Sequence, residues 1–173
     1  MNLIECTHEA HAAAILDILN DAIVHSTALY DYQPRPFASM RGWFDVKARS
    51  RHPVLGAVDG DGTLLGFASY GAFRPHAAYK YSIEHSVYVH RERRGQGIGR
   101  TLLERLVEVA TEQQYHVMVG GIDRENVASI ALHERLGFEP AGIIRHAGYK
   151  FGRWLDLAFY QRVLSGPDDP IET

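Results

Sequence analysis

Residues 80–106 read KYSIEHSVYVHRERRGQGIGRTLLERL, and this stretch decides the fold. Over residues 80–90 the side chains Ile83, His85, Val87 and Val89 alternate, the period of a half-buried strand. Beyond the glycines, Ile98, Leu102, Leu103, Leu106, Val109 and Ala110 recur along one side of an amphipathic helix. Between strand and helix, residues 94–99 are Arg-Gly-Gln-Gly-Ile-Gly. Alternating glycines let backbone N–H groups converge without side-chain obstruction, and a helix start adds positive potential, which together make a pyrophosphate seat. Arg93, Arg94 and Arg100 surround it with mobile positive charge. The plainer reading is a tight strand-to-helix turn that uses glycine for geometry alone.

Two better-known phosphate loops do not fit. The dinucleotide fingerprint needs a third glycine where Arg100 stands, and the nucleoside-triphosphate loop needs Gly-Lys-Ser/Thr where Gly99 is followed by Arg100 and Thr101.

Working outward, residues 2–6 predict a short edge strand. From Thr7, a plausible N-cap with Glu9 in the first turn, Ala12, Ile15, Leu16, Leu19 and Ile23 mark a helix. Pro34 and Pro36 make His25 to Phe37 a loop, and a second helix is expected over Ser39 to Arg49. VLGAVDGDGTLLGFASYG at 54–71 reads as a hairpin about its Asp-Gly repeats. VMVGGI at 117–122 is a buried-type strand, NVASIALHERLG at 126–137 a helix stopped by Gly137, and two strands near 139–149 and 152–163 close the chain. The order predicts an α/β fold: one curved, mixed sheet flanked by helices on both faces.

The chain has 173 residues, enough for one domain at ~100–200 residues each. Residues 1–164 are expected to form that domain, and 165–173, rich in proline and acids, a flexible tail. Eighteen Lys plus Arg against twenty-one Asp plus Glu leave a net charge of −3, which argues against a nucleic-acid partner. No stretch approaches the ~20 apolar residues of a membrane span, and the acidic start MNLIECTHEAH lacks the marks of a signal peptide, so a cytoplasmic protein is expected. The single cysteine, Cys6, excludes an internal disulfide and has no base beside it. His8 and His11 stand three apart with no third ligand, so they read as surface histidines and no metal is expected. Ser86 and Ser129 lack the setting of a hydrolase nucleophile.

The Arg-x-x-Gly-x-Gly pattern of Arg94, Gly97 and Gly99 resembles the acetyl-CoA loop of the GCN5-related N-acetyltransferase family, and NVASIALHERLGF at 126–138 resembles its second cofactor segment. EHSVYV, LHERLGF and GYKFGRWLD, in that order, resemble more narrowly the phosphinothricin and methionine-sulfoximine acetyltransferases. The resemblance runs from the first helix to the last strand. It implies an acetyl-CoA-dependent N-acetyltransferase acting on the α-amine of a small amino-acid analogue. Val87, Tyr88 and Val89 would line the cofactor through main-chain groups, Gly95, Gln96, Gly97, Ile98, Gly99 and Arg100 would wrap the pyrophosphate, and Asn126 would hold the pantetheine.

Acetylation needs a base for the ammonium, a donor for the developing oxyanion and a departing thiolate. By resemblance Glu84 is the base; alternatively it pairs with an arginine and orders the strand. A backbone N–H near Val89 is the expected oxyanion donor. His85 follows Glu84 and must face the other way on a strand, which suits a structural hydrogen-bonder. His133 stands where many relatives carry a tyrosine thought to protonate the thiolate; it is a candidate cofactor contact. Arg74, in FRPHAAY, stands where the resembling branch holds its substrate, so by resemblance Arg74 with Pro75 and His76 is the candidate clamp for a substrate carboxylate, and Glu84, His85 and Ser86 border the same substrate; alternatively Arg74 is a solvated loop arginine. Tyr30, Phe37 and Tyr88 are either pocket walls or core. The resembling enzymes are dimers, so a homodimer is expected, with Lys150, Trp154 and Asp156 reaching a partner's active site. Two rivals stand beside this reading: the same chemistry on a polyamine, aminoglycoside or protein N-terminus, and a CoA-binding protein without catalysis.

Overall fold

The computed structural model describes residues 1–172; Thr173, the end of the expected tail, lies outside them. The strands are β1 (Asn2–Glu5), β2 (Val54–Val58), β3 (Leu64–Ala72), β4 (Ser82–Val89), β5 (Val117–Asp123), β6 (Glu139–Lys150) and β7 (Arg153–Val163). The helices are α1 (His8–His25), α2 (Ala38–Arg49), α3 (Ile98–Glu112) and α4 (Val127–Arg135). The seven strands form one sheet in the order β1-β2-β3-β4-β5-β7-β6, with β4 and β5 parallel and antiparallel pairs at both margins. The mixed α/β architecture read from the sequence is the one observed. The short 3₁₀ turns Ala77–Tyr79 and Arg91–Arg93 were not foreseen. None of the helices among the described residues is long and apolar enough to cross a membrane.

The chain folds as two compact units. The first holds Met1–Tyr70 and Ser86–Leu106. Its core joins α1 (Ala12, Ile15, Leu16, Ile18, Leu19), α2 (Met40, Phe44) and the β2–β3 hairpin (Val54, Val58, Leu64, Phe67), the spacing of 3.6 on the helices and near-continuous burial on β3 giving each its apolar face. Thr7 caps α1 by accepting the Ala10 N–H at 3.3 Å. His8 is not a surface residue: its ring lies 5.9 Å from Phe37 and 5.8 Å from Phe44, and its side chain is 16% exposed. His11 is spent locally, its Nδ1 accepting the Thr7 N–H. Burial pushes the Cys6 thiol up to about 12, so it stays protonated.

The second unit holds Gly71–His85 and the described chain from Val107 onward. Strand β5 pairs with β7 along its whole length, Val117↔Val163 to Asp123↔Leu157, but with β4 only from Ser82↔Val117 to Glu84↔Val119. Met118, Ile122, Leu136, Phe138 and Leu155 are buried, each contributing roughly 1.5–3 kcal/mol, and so is Ala158. The outer strand β6 loses register with β7 between Pro140 and Gly142 and again between Ile144 and Gly148, where His146 adopts φ +54°. The chain past β7 is held at several points: Leu164 N–H donates to the His116 carbonyl, the His116 ring meets the Gly166 carbonyl at 2.6 Å, and the Ile171 N–H donates to the Tyr81 hydroxyl.

Candidate functional site

In the first unit β4 ends at Val89, a 3₁₀ turn closes when Arg93 N–H donates to the His90 carbonyl, and the glycine loop delivers the chain to α3. Gly95 and Gly97 have φ of +77° and +80°, in the left-handed region where a Cβ is strained. A Cβ at Gly97 would meet nothing within 4 Å, so glycine is there for the backbone path and leaves open space beside it. The ladder of α3 begins with Thr101 N–H to the Gly97 carbonyl at 3.0 Å. The N–H groups of Ile98, Gly99 and Arg100 therefore have no acceptor within the helix, and the helix dipole adds to their pull on an anion. Ile98, 3% exposed, anchors this start. The first turn carries no acid, and Arg93 and Arg94 stand exposed beside it. These features fit a pyrophosphate. Arg100 is less free than its sequence position suggests, because its Nε meets Glu104 at 2.8 Å. Val87, Tyr88 and Val89 are half-buried, and the Tyr88 ring packs 5.5 Å from Phe67, which makes it core more than wall. Ser86 is exposed, and so is Phe37 at the head of α2.

In the second unit Glu84 is the last residue of β4 paired to β5. Its side chain lies over Gly121, where a Cβ would come within 3.3 Å of Oε1 and 3.4 Å of Leu157 Cδ1, with Phe159 just beyond. Burial against this apolar floor raises the Glu84 carboxyl above the usual carboxylate range, and the nearby Arg74 guanidinium pulls it partly back. Arg74 Nη1 is 3.9 Å from Glu84 Oε2, too long for a hydrogen bond. What holds Arg74 is its neighbour: the guanidinium carbon sits 4.1 Å from the centre of the Phe73 ring, and Nη1 donates to the Phe73 carbonyl at 2.7 Å. The sequence alternative in which Glu84 pairs with an arginine is thus partly realised. Pro75 and His76 are exposed, the His76 carbonyl serving the turn Ala77–Tyr79.

His85 turns to the opposite side of β4, over Gly120. There its Nε2 lies 3.0 Å from His133 Nε2, the rings stack at 5.0 Å, and Phe138 meets both edge-on. The Ser129 carbonyl, 2.6 Å from His133 Nδ1, can only accept, so that nitrogen carries a proton. A neutral His133 then accepts at Nε2, His85 donates from its own Nε2, and His85 Nδ1 is left unprotonated, buried and without a hydrogen-bond partner. Burial first, and the second ring next, carry His85 down to about 3; burial also lowers His133. His133 is 2% exposed with both ring nitrogens engaged, so it presents no atom to a cofactor and the suggested acid or cofactor contact gains no support.

Asn126, an exposed residue, caps α4, its Oδ1 accepting the Ser129 N–H at 3.1 Å. Lys150 is 5% exposed and cannot extend toward a partner. Trp154 is 58% exposed, and Asp156 is occupied by the His146 N–H and Arg124. What sequence reasoning missed is the purpose of Gly120-Gly121. A glycine pair inside a strand is a signal of close approach, and here one residue makes room for the imidazoles and the next for Glu84.

Residues 13–138 match the model of the Acetyltransferase (GNAT) family. The L-methionine sulfoximine/L-methionine sulfone acetyltransferase of Pseudomonas aeruginosa is 48% identical over 152 residues, 88% of each chain. An acetyltransferase structure from Acinetobacter baylyi superimposes with a TM-score of 0.98 at 54% identity, over 99% of this chain and 96% of that one. A phosphinothricin acetyltransferase from Sinorhizobium meliloti, in complex with acetyl-CoA, superimposes with a TM-score of 0.91 at 36% identity, over 94% and 88% of the two chains.

Proposed function

The chain belongs to the acetyltransferase (GNAT) family and is an N-acetyltransferase; from that premise we propose that it acetylates the α-amine of a small amino-acid analogue of the methionine sulfoximine, methionine sulfone or phosphinothricin type. The observation that carries this reading is the spacing of Arg74 and Glu84, 3.9 Å apart with the free part of the guanidinium fork open to solvent. An α-amino acid holds its carboxylate and its nitrogen roughly 3 Å apart. The carboxylate lies on the Arg74 fork while the ammonium lies against Glu84. Glu84, held above the usual carboxylate range by its apolar floor, takes a proton from the ammonium at an Oε atom and leaves a nucleophilic amine.

Acetyl-CoA supplies the acetyl thioester. In this reading the main chain of Val87, Tyr88 and Val89 runs beside it, with the Val89 N–H aimed at the carbonyl oxygen. The N–H groups from Gly95 through Gly99, with Arg94 and Arg100, seat the pyrophosphate, and the amide of Asn126 donates to the pantetheine. One domain over residues 1–164, a cytoplasmic location and a homodimer complete the reading. The dimer is supported by the apolar side chains that β6 and β7 leave exposed, Ile143, Ile144, Tyr149 and Trp154 among them.

A panel of amines assayed with acetyl-CoA by release of free thiol tests it. Amino-acid analogues should turn over, and polyamines and aminoglycosides should not. Preference for a polycation would overturn the substrate class.

A further inference from the structure

Arg74 and Glu84, 3.9 Å apart, form one device rather than a separate grip and base. The guanidinium is held by Phe73, through the ring face at 4.1 Å and the carbonyl at 2.7 Å. It therefore stays beside Glu84 without a hydrogen bond to it. Its remaining N–H groups have no protein acceptor among the described residues. The groups that face Glu84 are few. Among the described residues Arg74 is the charge that acts on it, and Gly121, Leu157 and Phe159 supply the apolar floor from β5 and β7. His85, next in the chain, is turned away and neutral.

We propose that Arg74 is a brake on Glu84 which the substrate's own carboxylate releases. This inference rests on the reading of Glu84 as base. A cation 3.9 Å from a carboxylate on a poorly solvated floor stabilises the anion and makes it a weaker proton acceptor. When an α-carboxylate occupies the fork, its negative charge cancels that of Arg74 as seen from Glu84, and the apolar floor alone then governs the carboxyl. The base becomes strong at the moment an amine that carries a carboxylate is in place. An amine without one meets the braked base, so selection acts on turnover as well as on binding.

The test follows the Glu84 carboxyl by carbon-detected NMR titration, with Glu84→Gln to assign the signal. The probe is 4-(methylsulfonyl)butanoate, which has the side chain and carboxylate of methionine sulfone but no amine. Saturation with it should raise the Glu84 midpoint by about half a unit or more. In Arg74→Gln, a change at a half-exposed loop residue whose folding is checked by its melting temperature, the midpoint should already be raised and the probe should move it no further. A wild-type midpoint that saturating probe leaves unmoved, or a probe-free Arg74→Gln midpoint equal to that of the wild type, overturns the brake. Turnover of Glu84→Gln is measured alongside. Turnover retained in that variant sinks the base reading, whereas an unmoved carboxyl titration sinks only the coupling, so the two failures are told apart.

Discussion

His85 Nε2 and His133 Nε2 lie 3.0 Å apart in the second unit, and the proton between them can belong only to His85, because the Ser129 carbonyl has fixed the tautomer of His133. This neutral pair leaves no place for a charge, and it fills the side of β4 that Glu84 does not use.

Acid should therefore weaken the fold in a defined window. His85 is held down to about 3 when folded and returns to about 6.5 when unfolded. Between these values the unfolded chain binds more protons, so stability rises with pH there and is lost as pH falls below about 6.5, by up to about tenfold in the folding constant per pH unit. Urea midpoints from pH 7 to pH 4 should fall in the wild type, and more shallowly in His85→Leu. Parallel curves would remove the pair as the cause.

The two glycines of β5 should fail differently. A Cβ at Gly120 would lie 2.7 Å from His85 Nε2 and wedge the imidazoles apart, so Gly120→Ala should cost about 1–3 kcal/mol. At Gly121 the contacts begin at 3.3 Å, on the Glu84 carboxylate, so Gly121→Ala should melt near the wild type yet turn over slowly. Melting curves and turnover on both variants decide it; equal melting losses would mean that neither face is special.

Glu84→Gln should still bind acetyl-CoA and lose roughly 10²–10⁴-fold in turnover, with a residual rate that climbs at high pH as free amine accumulates. A wild-type rate at neutral pH would hand the proton to another acceptor.

Gly97→Val forces a β-branched residue into φ +80° and should weaken acetyl-CoA binding at least about tenfold while the chain stays folded. Calorimetry on the folded variant reads this directly, and an unchanged affinity would retire the loop as the pyrophosphate seat.

Arg74→Ala should raise the Michaelis constant for methionine sulfone by about 30-fold or more, the cost of leaving a substrate carboxylate without its charge-assisted partner. The matching amine without a carboxylate should not be slowed. If both substrates suffer alike, Arg74 is holding structure.

The glycine loop, the strand before it and the helix after it were legible because each obeys a local rule: period two, glycine where the backbone turns left-handed, period 3.6. Glu84 and His85 on opposite faces followed from strand alternation. The partner of His85 did not, since His133 is 48 residues away and its choice of neighbour depends on α4 packing over Gly120. Burial of Lys150 at the end of an exposed strand was equally hidden, because sequence pattern gives faces but not which end a neighbour covers. His8 looked solvated for the same reason: the two phenylalanines that enclose it come from the start and middle of another segment.

The two register breaks of β6 bear on how the molecule survives crowding. A flat outer strand of twelve residues with exposed isoleucines would invite any stray chain to add another strand. Here the ladder is interrupted near Gly142 and again around His146, so a passing peptide finds only short runs of aligned donors and acceptors. Strand addition along this edge is thereby disfavoured by shape.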